Sequence, residues 1–268
     1  MSDENIIASQ APKSWREFSR RLRAHNSLLL AHLDDFNNAI LVTGCQRSGT
    51  TMLASIINRS SAIKRFSLDD DHEFMSALAL AGQRLLVHSP SDRFCFQTTY
   101  LNENYFEYFK MKPDHKLVWM LRNPHSVVYS MCYNWGNNAL VELFEGCGLS
   151  NMRSLERFRY NLLGQRGLTK LRMACYAYVG KVSQLKEMIE RIPQSIFVVE
   201  YDELARNPSL LLPAIFEFLE LPYQPGYAEI THSRSITKAN GFSSKEEAII
   251  TKVCTPVYEQ SLPFLSAY

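Results

Sequence analysis

Along the chain, short apolar runs alternate with longer stretches in which apolar residues recur at three- and four-residue intervals. Four runs read as buried strands: Ala39-Ile-Leu-Val-Thr43, Phe94-Cys-Phe-Gln97, Lys116-Leu-Val-Trp-Met-Leu121 and Ser195-Ile-Phe-Val-Val-Glu200. They are rich in branched and aromatic residues, and the first stops at a glycine. Helices are expected over residues 14–35, 50–58, 72–86, 103–110 and 208–220, with another after Pro124. Strands alternating with helices at this spacing predict an α/β fold with a central parallel sheet covered on both faces. Residues 138–167 contain Gly and Arg without clean periodicity. They read either as an insertion or lid over an acceptor site, or as a helical surface excursion.

The chain has 268 residues, enough for one generous domain with a substantial core. Residues 1–12 read as a loose tail and 13–268 as a single domain. With 46% hydrophobic residues an ordered globular protein is expected. A net charge of +2 argues against a nucleic-acid protein that relies on bulk charge, while leaving room for a local basic pocket. The six cysteines are dispersed, with no close pair and no His/Cys cluster, so neither zinc nor a disulfide framework is expected. No apolar run reaches membrane-spanning length, and the opening Met1-Ser-Asp-Glu-Asn is not a signal peptide, so a cytoplasmic protein is expected.

The most informative segment is Leu41-Val-Thr-Gly-Cys-Gln-Arg-Ser-Gly-Thr-Thr-Met-Leu53. Gly44 and Gly49 bracket four residues between a strand and a helix, the spacing of a phosphate-binding P-loop. Such a loop turns backbone N–H groups toward one point, and the following helix adds the positive end of its dipole. A nucleotide triphosphatase has Lys after the second glycine, followed by a Mg²⁺-holding hydroxyl. Here Thr50 and Thr51 follow, and the cation sits inside the loop as Arg47. That shift points away from ATP or GTP hydrolysis and toward another anionic donor.

Arg47-Ser-Gly-Thr-Thr51 resembles the 5′-phosphosulfate loop of sulfotransferases that use 3′-phosphoadenosine-5′-phosphosulfate (PAPS). Leu121-Arg-Asn-Pro-His-Ser-Val-Val-Tyr-Ser130 resembles the same family's 3′-phosphate motif, an Arg at a strand end and a Ser eight residues on. Val199-Glu-Tyr-Asp-Glu-Leu-Ala-Arg-Asn-Pro208 is similar to its late strand, where a Tyr lies near the adenine. The three occur in family order.

The resemblance implies a P-loop NTPase-like three-layer sandwich and transfer of a sulfuryl group to a hydroxyl or amine, with 3′,5′-diphosphoadenosine (PAP) as product. The acceptor would be a small molecule, carbohydrate or lipid, and neither a metal nor a nucleic-acid partner is implied. Gln46, Arg47, Ser48, Gly49, Thr50 and Thr51 would hold the phosphosulfate, with Arg47 also stabilising the leaving phosphate. Arg122 and Ser130 would hold the 3′-phosphate, Tyr201 would stand by the adenine, and Lys238 would lie in a loop closing over the nucleotide.

The acceptor needs a general base. The cytosolic branch of the family places a His in a Lys-Thr-His segment, but this chain has Phe96-Gln-Thr-Thr-Tyr-Leu101. Carbohydrate and tyrosyl-protein branches use a Glu downstream of the loop cation. Here that neighbourhood reads Ser67-Leu-Asp-Asp-Asp-His-Glu-Phe74. The register gives Asp70 first, with Asp71 and Glu73 as alternatives; a helix N-terminus capped by Asp explains the same residues. His125 reads as a cap neighbour and His88 as a loop histidine. Tyr133-Asn-Trp-Gly-Asn-Asn138 reads as acceptor-cleft lining or packing. The competing functions are a kinase or NTPase with a degenerate loop, and a nucleotide-binding module without catalysis.

Overall fold

The computed structural model describes residues 11–25, 27–66, 71–100, 107–110, 115–231 and 241–266. Most of the expected tail, Asp70 and Lys238 lie outside these residues. The first helix, α1, is Trp15–His25, followed by strand β1 at Ile40–Gly44. Helices α2 (Thr50–Ile57) and α3 (His72–Leu80) precede β2 (Cys95–Gln97). Next come β3 (Lys116–Leu121) and the helices α4 (Pro124–Tyr133), α5 (Asn137–Leu143), α6 (Ser154–Leu163), α7 (Lys170–Val182) and α8 (Gln184–Arg191). Strand β4 (Ile196–Glu200) leads into α9 (Tyr201–Arg206), α10 (Pro208–Phe218) and α11 (Ser244–Ser261).

The strands form one parallel sheet in the order β2-β1-β3-β4. Side chains alternate across a strand, so each strand feeds two cores. Leu41, Phe96, Leu117, Trp119 and Val198 point to one face, packed with α1, α3, α4, α7 and α11. Ile40, Val42, Val118, Met120, Phe197 and Val199 point to the other, packed with α2, α9 and α10. Burial on both faces is why these strands read as near-continuous apolar runs. The outer edge of β4 is covered by the C-terminal segment, where Ser266 N donates to Val198 O and Val198 N to Ser266 Oγ.

Three helices differ from expectation. The helix predicted over 14–35 stops at His25, because tertiary partners claim the residues beyond it. Leu30 and Leu33 are fully buried, Leu30 N donates to the Glu107 carboxylate, and His32 N to Leu80 O. The helix predicted over 72–86 ends at Leu80, with Gly82 at φ 67°, a left-handed terminus. Over 103–110, the described part is a single 3₁₀ turn, Tyr108–Lys110. Residues 138–167 are mostly helical, with a π-turn at Phe144–Gly148 joining α5 toward α6. The helix α11 had a sequence signal that periodicity alone passes over: Ser243 and Glu246 form a capping box.

Candidate active site

Register places the carboxyl ends of all four strands side by side, with Gly44 opposite Met120 and Leu121 opposite Glu200. The residues leaving those ends therefore converge at the sheet edge where open α/β folds bind ligands. They are the loop 44–49, Thr98–Tyr100 after β2, Arg122 after β3, and Tyr201 after β4.

The loop after β1 is built by backbone conformation. Gly44 leaves the strand at φ 130°, and a Cβ there would collide with Met120 O. Gly49 has φ 90°, with the Tyr201 ring occupying the place its Cβ would take. Between them Arg47 adopts φ 69°, a left-handed conformation that is costly for a residue with a side chain. Ser48 N closes the turn on Cys45 O at 3.2 Å. Thr50 and Thr51 then open α2 behind Gly49, which puts a helix N-terminus at the loop.

The second motif locks onto the first. Asn123 caps α4 through its side-chain oxygen, which accepts from His125 N at 2.9 Å, and Pro124 takes the first helical position. Ser126, Tyr129 and Ser130 then share one helix face and line the pocket beside the loop. Arg47 Nε donates to Ser130 Oγ at 2.9 Å, and Arg122 Nη1 donates to Arg47 O at 2.9 Å. The Arg122 guanidinium lies 4.2 Å from the Tyr201 ring centroid and 3.8 Å from Asp202 Oδ1.

These elements enclose a cavity of about 420 Å³. Gln46, Arg47, Gly49, Thr50, Thr51, Arg122 and Ser130 line it, with Glu73, Gln97 and, toward the rim, Asn134 and Trp135. Ser48 Oγ is buried beneath the loop and meets no hydrogen-bond partner among the described residues. Tyr201 stands behind the loop, against Gly49 and Arg122. His88 packs instead on Phe36 and Phe94, and the His125 ring faces Thr251.

Among the candidate carboxylates, the structure brings Glu73 into the pocket and turns Asp71 away. Asp71 Oδ1 caps α3 by accepting from Phe74 N at 2.9 Å, and Oδ2 accepts from the Trp15 indole. Glu73, in the first turn, accepts from Gln97 Nε2 at 3.3 Å and from Thr99 Oγ1. The same Gln97 amide reaches Thr51 Oγ1 at 3.0 Å and Thr50 Oγ1 at 3.2 Å, tying the carboxylate to the start of α2. Gln46 Nε2 donates to Thr99 O at 2.7 Å, tying the loop to the residue that holds Glu73. Burial pushes the Glu73 carboxyl up to about 7, opposed by the Thr99 hydrogen bond and by the charges of Lys181 and Arg47.

Lys181, a buried cation whose charge acts on Glu73, is a residue that sequence reading missed. It lies near the end of α7 with no exposure, on the sheet face that carries Cys45 and Cys147. Burial lowers its ammonium to about 8, while Cys147, Cys45 and Glu73 favour its charged form. The available signal was a lysine in an otherwise apolar helical stretch, Tyr176-Ala-Tyr-Val-Gly-Lys-Val182. Gln97 and Thr99 were missed for another reason: their segment was read only for the Lys and His it lacks.

Comparisons with known proteins agree with this architecture. The Sulfotransferase domain family matches residues 37–253. The bifunctional heparan sulfate N-deacetylase/N-sulfotransferase 1 of Caenorhabditis briggsae is 26% identical over 212 residues, 73% of this chain. The chain spans only about a quarter of that relative's length, as the match covers 24% of it. The sulfotransferase STF9 structure from Mycobacterium avium superposes with a TM-score of 0.54 at 13% identity, covering 94% of this chain and 83% of that one. The mouse sulfotransferase SULT7A1 complexed with PAP gives 0.50 at 16% identity, over 88% and 90% of the two chains. With its three-layer α/β fold and with most of its length matched by the family model, this chain belongs to the sulfotransferase family.

Proposed function

We propose that the protein transfers a sulfuryl group from PAPS to a hydroxyl or amine, with Glu73 as the general base. The observation that carries this reading is one cavity joining a P-loop, two arginines and a buried carboxylate. The residues fit an anionic donor. The loop leads into a helix N-terminus, Ser48 Oγ has no partner among the described residues, and Glu73 is the single carboxylate they contribute to the lining. PAPS supplies the activated sulfuryl group and, in PAP, a good leaving phosphate.

The chain's own groups then divide the work. Arg47 and the amides of residues 46–51 hold and neutralise the 5′-phosphosulfate end, as positioning and electrostatic stabilisation require. Arg122, its plane set by the Tyr201 ring, holds the 3′-phosphate together with Ser130. Glu73 takes the acceptor proton at its carboxylate, and Gln97 and Thr99 fix the direction of that carboxylate. A base raised to about 7 by burial is half ionised near neutral pH and still avid for a proton.

Two predictions arise here. Arg122→Ala should weaken PAP binding by about tenfold to a hundredfold, the loss of a charged phosphate contact. Adenosine 5′-phosphate, which lacks the 3′-phosphate, should lose far less in the same calorimetric titration. Equal losses for both ligands would show that Arg122 only supports the loop. Lys181→Met should move the acidic limb of the pH–rate profile to higher pH. The Lys181 charge favours ionised Glu73, so its removal raises the proton affinity of that carboxylate. An unmoved limb with reduced melting temperature would make Lys181 a packing residue.

The acceptor follows from the site less directly. Asn134 and Trp135 give the rim an amide and an aromatic face, and one relative carries N-sulfotransferase and heparan sulfate in its name. Amino- and hydroxyl-bearing carbohydrates are therefore the first acceptors to test, ahead of phenols and lipids. A screen with ³⁵S-labelled PAPS should show label transferred to at least one of these classes. Failure with all of them, in protein that binds PAP, would contradict a transferase of this acceptor range.

A further inference from the structure

The helix α6 presents its apolar side outward. Leu155, Phe158, Leu162 and Leu163 are 77%, 66%, 70% and 55% exposed, and the helix buries no residue. Leu155, Phe158 and Leu162 follow the three- and four-residue spacing of one helical stripe. The rotation of α6 about its axis is fixed from its other side. Glu156 accepts from Arg172 Nη1 and Tyr176 Oη, Tyr160 Oη donates to Glu145 at 2.9 Å, and the Tyr160 ring packs 5.4 Å from Phe144. The stripe therefore cannot roll inward without breaking those bonds. Large apolar side chains exposed together on one stripe mark an interaction surface.

Charge around the stripe selects the partner. Residues 153–172 contain Arg153, Arg157, Arg159, Arg166, Lys170 and Arg172 against the single acid Glu156, a net +5 in a chain whose total is +2. The remainder of the molecule is thus net −3. Arg153, Arg159 and Arg166 are exposed, and Arg159 stands four residues after Leu155 and three before Leu162, next to the stripe, while Arg157 turns back to the carbonyls of Leu149 and Ser150. A second copy of the same face would meet this charge with like charge. A polyanionic sugar would satisfy the arginines and leave three leucines and a phenylalanine in water. An anionic bilayer surface satisfies both at once, taking apolar side chains between its headgroups and basic ones against its phosphates. A ten-residue helix lies on such a surface and does not cross it, and no helix among the described residues is long and apolar enough to span.

We propose that α6 docks the protein reversibly on anionic membranes, through Leu155, Phe158 and Leu162 with Arg159 beside them and the net positive charge of residues 153–172 drawing this region to the surface. This inference does not depend on the identity of donor, base or acceptor. The test is co-sedimentation of the full chain with phosphatidylcholine vesicles, with and without about 30 mol% phosphatidylserine. Binding is expected to the anionic vesicles, to fall severalfold in about 0.5 M salt, and to be weak on phosphatidylcholine alone. The triple variant Leu155→Ser, Phe158→Ser, Leu162→Ser should lose about tenfold or more of that binding, with an unchanged melting temperature because these side chains are exposed. Arg159→Glu should weaken it independently. No binding to anionic vesicles, or equal binding by the triple variant, overturns the proposal. So does a dimer in sedimentation velocity that the triple variant abolishes, which would give this face to a second copy.

Discussion

Glu73→Gln should lower turnover by about two to four orders of magnitude, the range for loss of a general base, while PAP affinity stays close to that of the wild type. The amide keeps the shape of the carboxylate and can still accept from Thr99 Oγ1, so the loop and α2 stay in place. It cannot take a proton. The pH dependence gives the same residue a second signature. The Glu73 carboxyl is raised to about 7, chiefly by burial, so it is protonated at acid pH and becomes a competent base as pH rises through that value. The wild-type rate should climb across this interval, and the variant's residual rate should not. Asp71→Asn is the matching control. It replaces one good helix N-cap by another and should leave turnover nearly unchanged. Wild-type turnover in Glu73→Gln, with a large loss in Asp71→Asn, would move the base to the other carboxylate.

Arg47→Ala should cost about a hundredfold to a thousandfold in turnover, as loss of a donor aimed at developing transition-state charge does. Arg47→Lys should recover a large part, since a cation returns to the same loop position. The backbone allows a sharper version. Arg47 occupies a left-handed conformation at φ 69°, which glycine adopts without steric cost. Arg47→Gly should therefore lower turnover about as much as Arg47→Ala without lowering the melting temperature, separating the role of the charge from that of the fold. A parallel fall in both would show that the Arg47–Ser130 contact supports the loop structurally.

The sheet was legible because its physics is local. Strands buried on both faces must be apolar at successive positions, and Leu117-Val-Trp-Met-Leu121 carries that requirement openly. The P-loop was legible because glycines are needed where Gly44 meets Met120 and Gly49 meets Tyr201. Choosing among Asp70, Asp71 and Glu73 was a different matter. Asp71 and Glu73 are two positions apart on one helix start, and only the distant Gln97 and Thr99 bring Glu73 into the pocket. A nonlocal contact of that kind leaves no periodicity. The early end of α1 has the same origin, since Leu30 and Leu33 join a core assembled from residues far along the chain. Lys181 was invisible because a single lysine in an apolar helix reads as solvent-facing until its burial is known.

On the proposed function, the cavity between Arg47 and Arg122 takes a nucleotide carrying phosphate at both its 5′ and 3′ positions. Isothermal titration calorimetry in metal-free buffer tests it directly, with PAP and ATP as the two ligands. Micromolar or tighter binding of PAP is expected, with much weaker binding of ATP and no gain for PAP on adding Mg²⁺. Micromolar binding of ATP with none of PAP would contradict it.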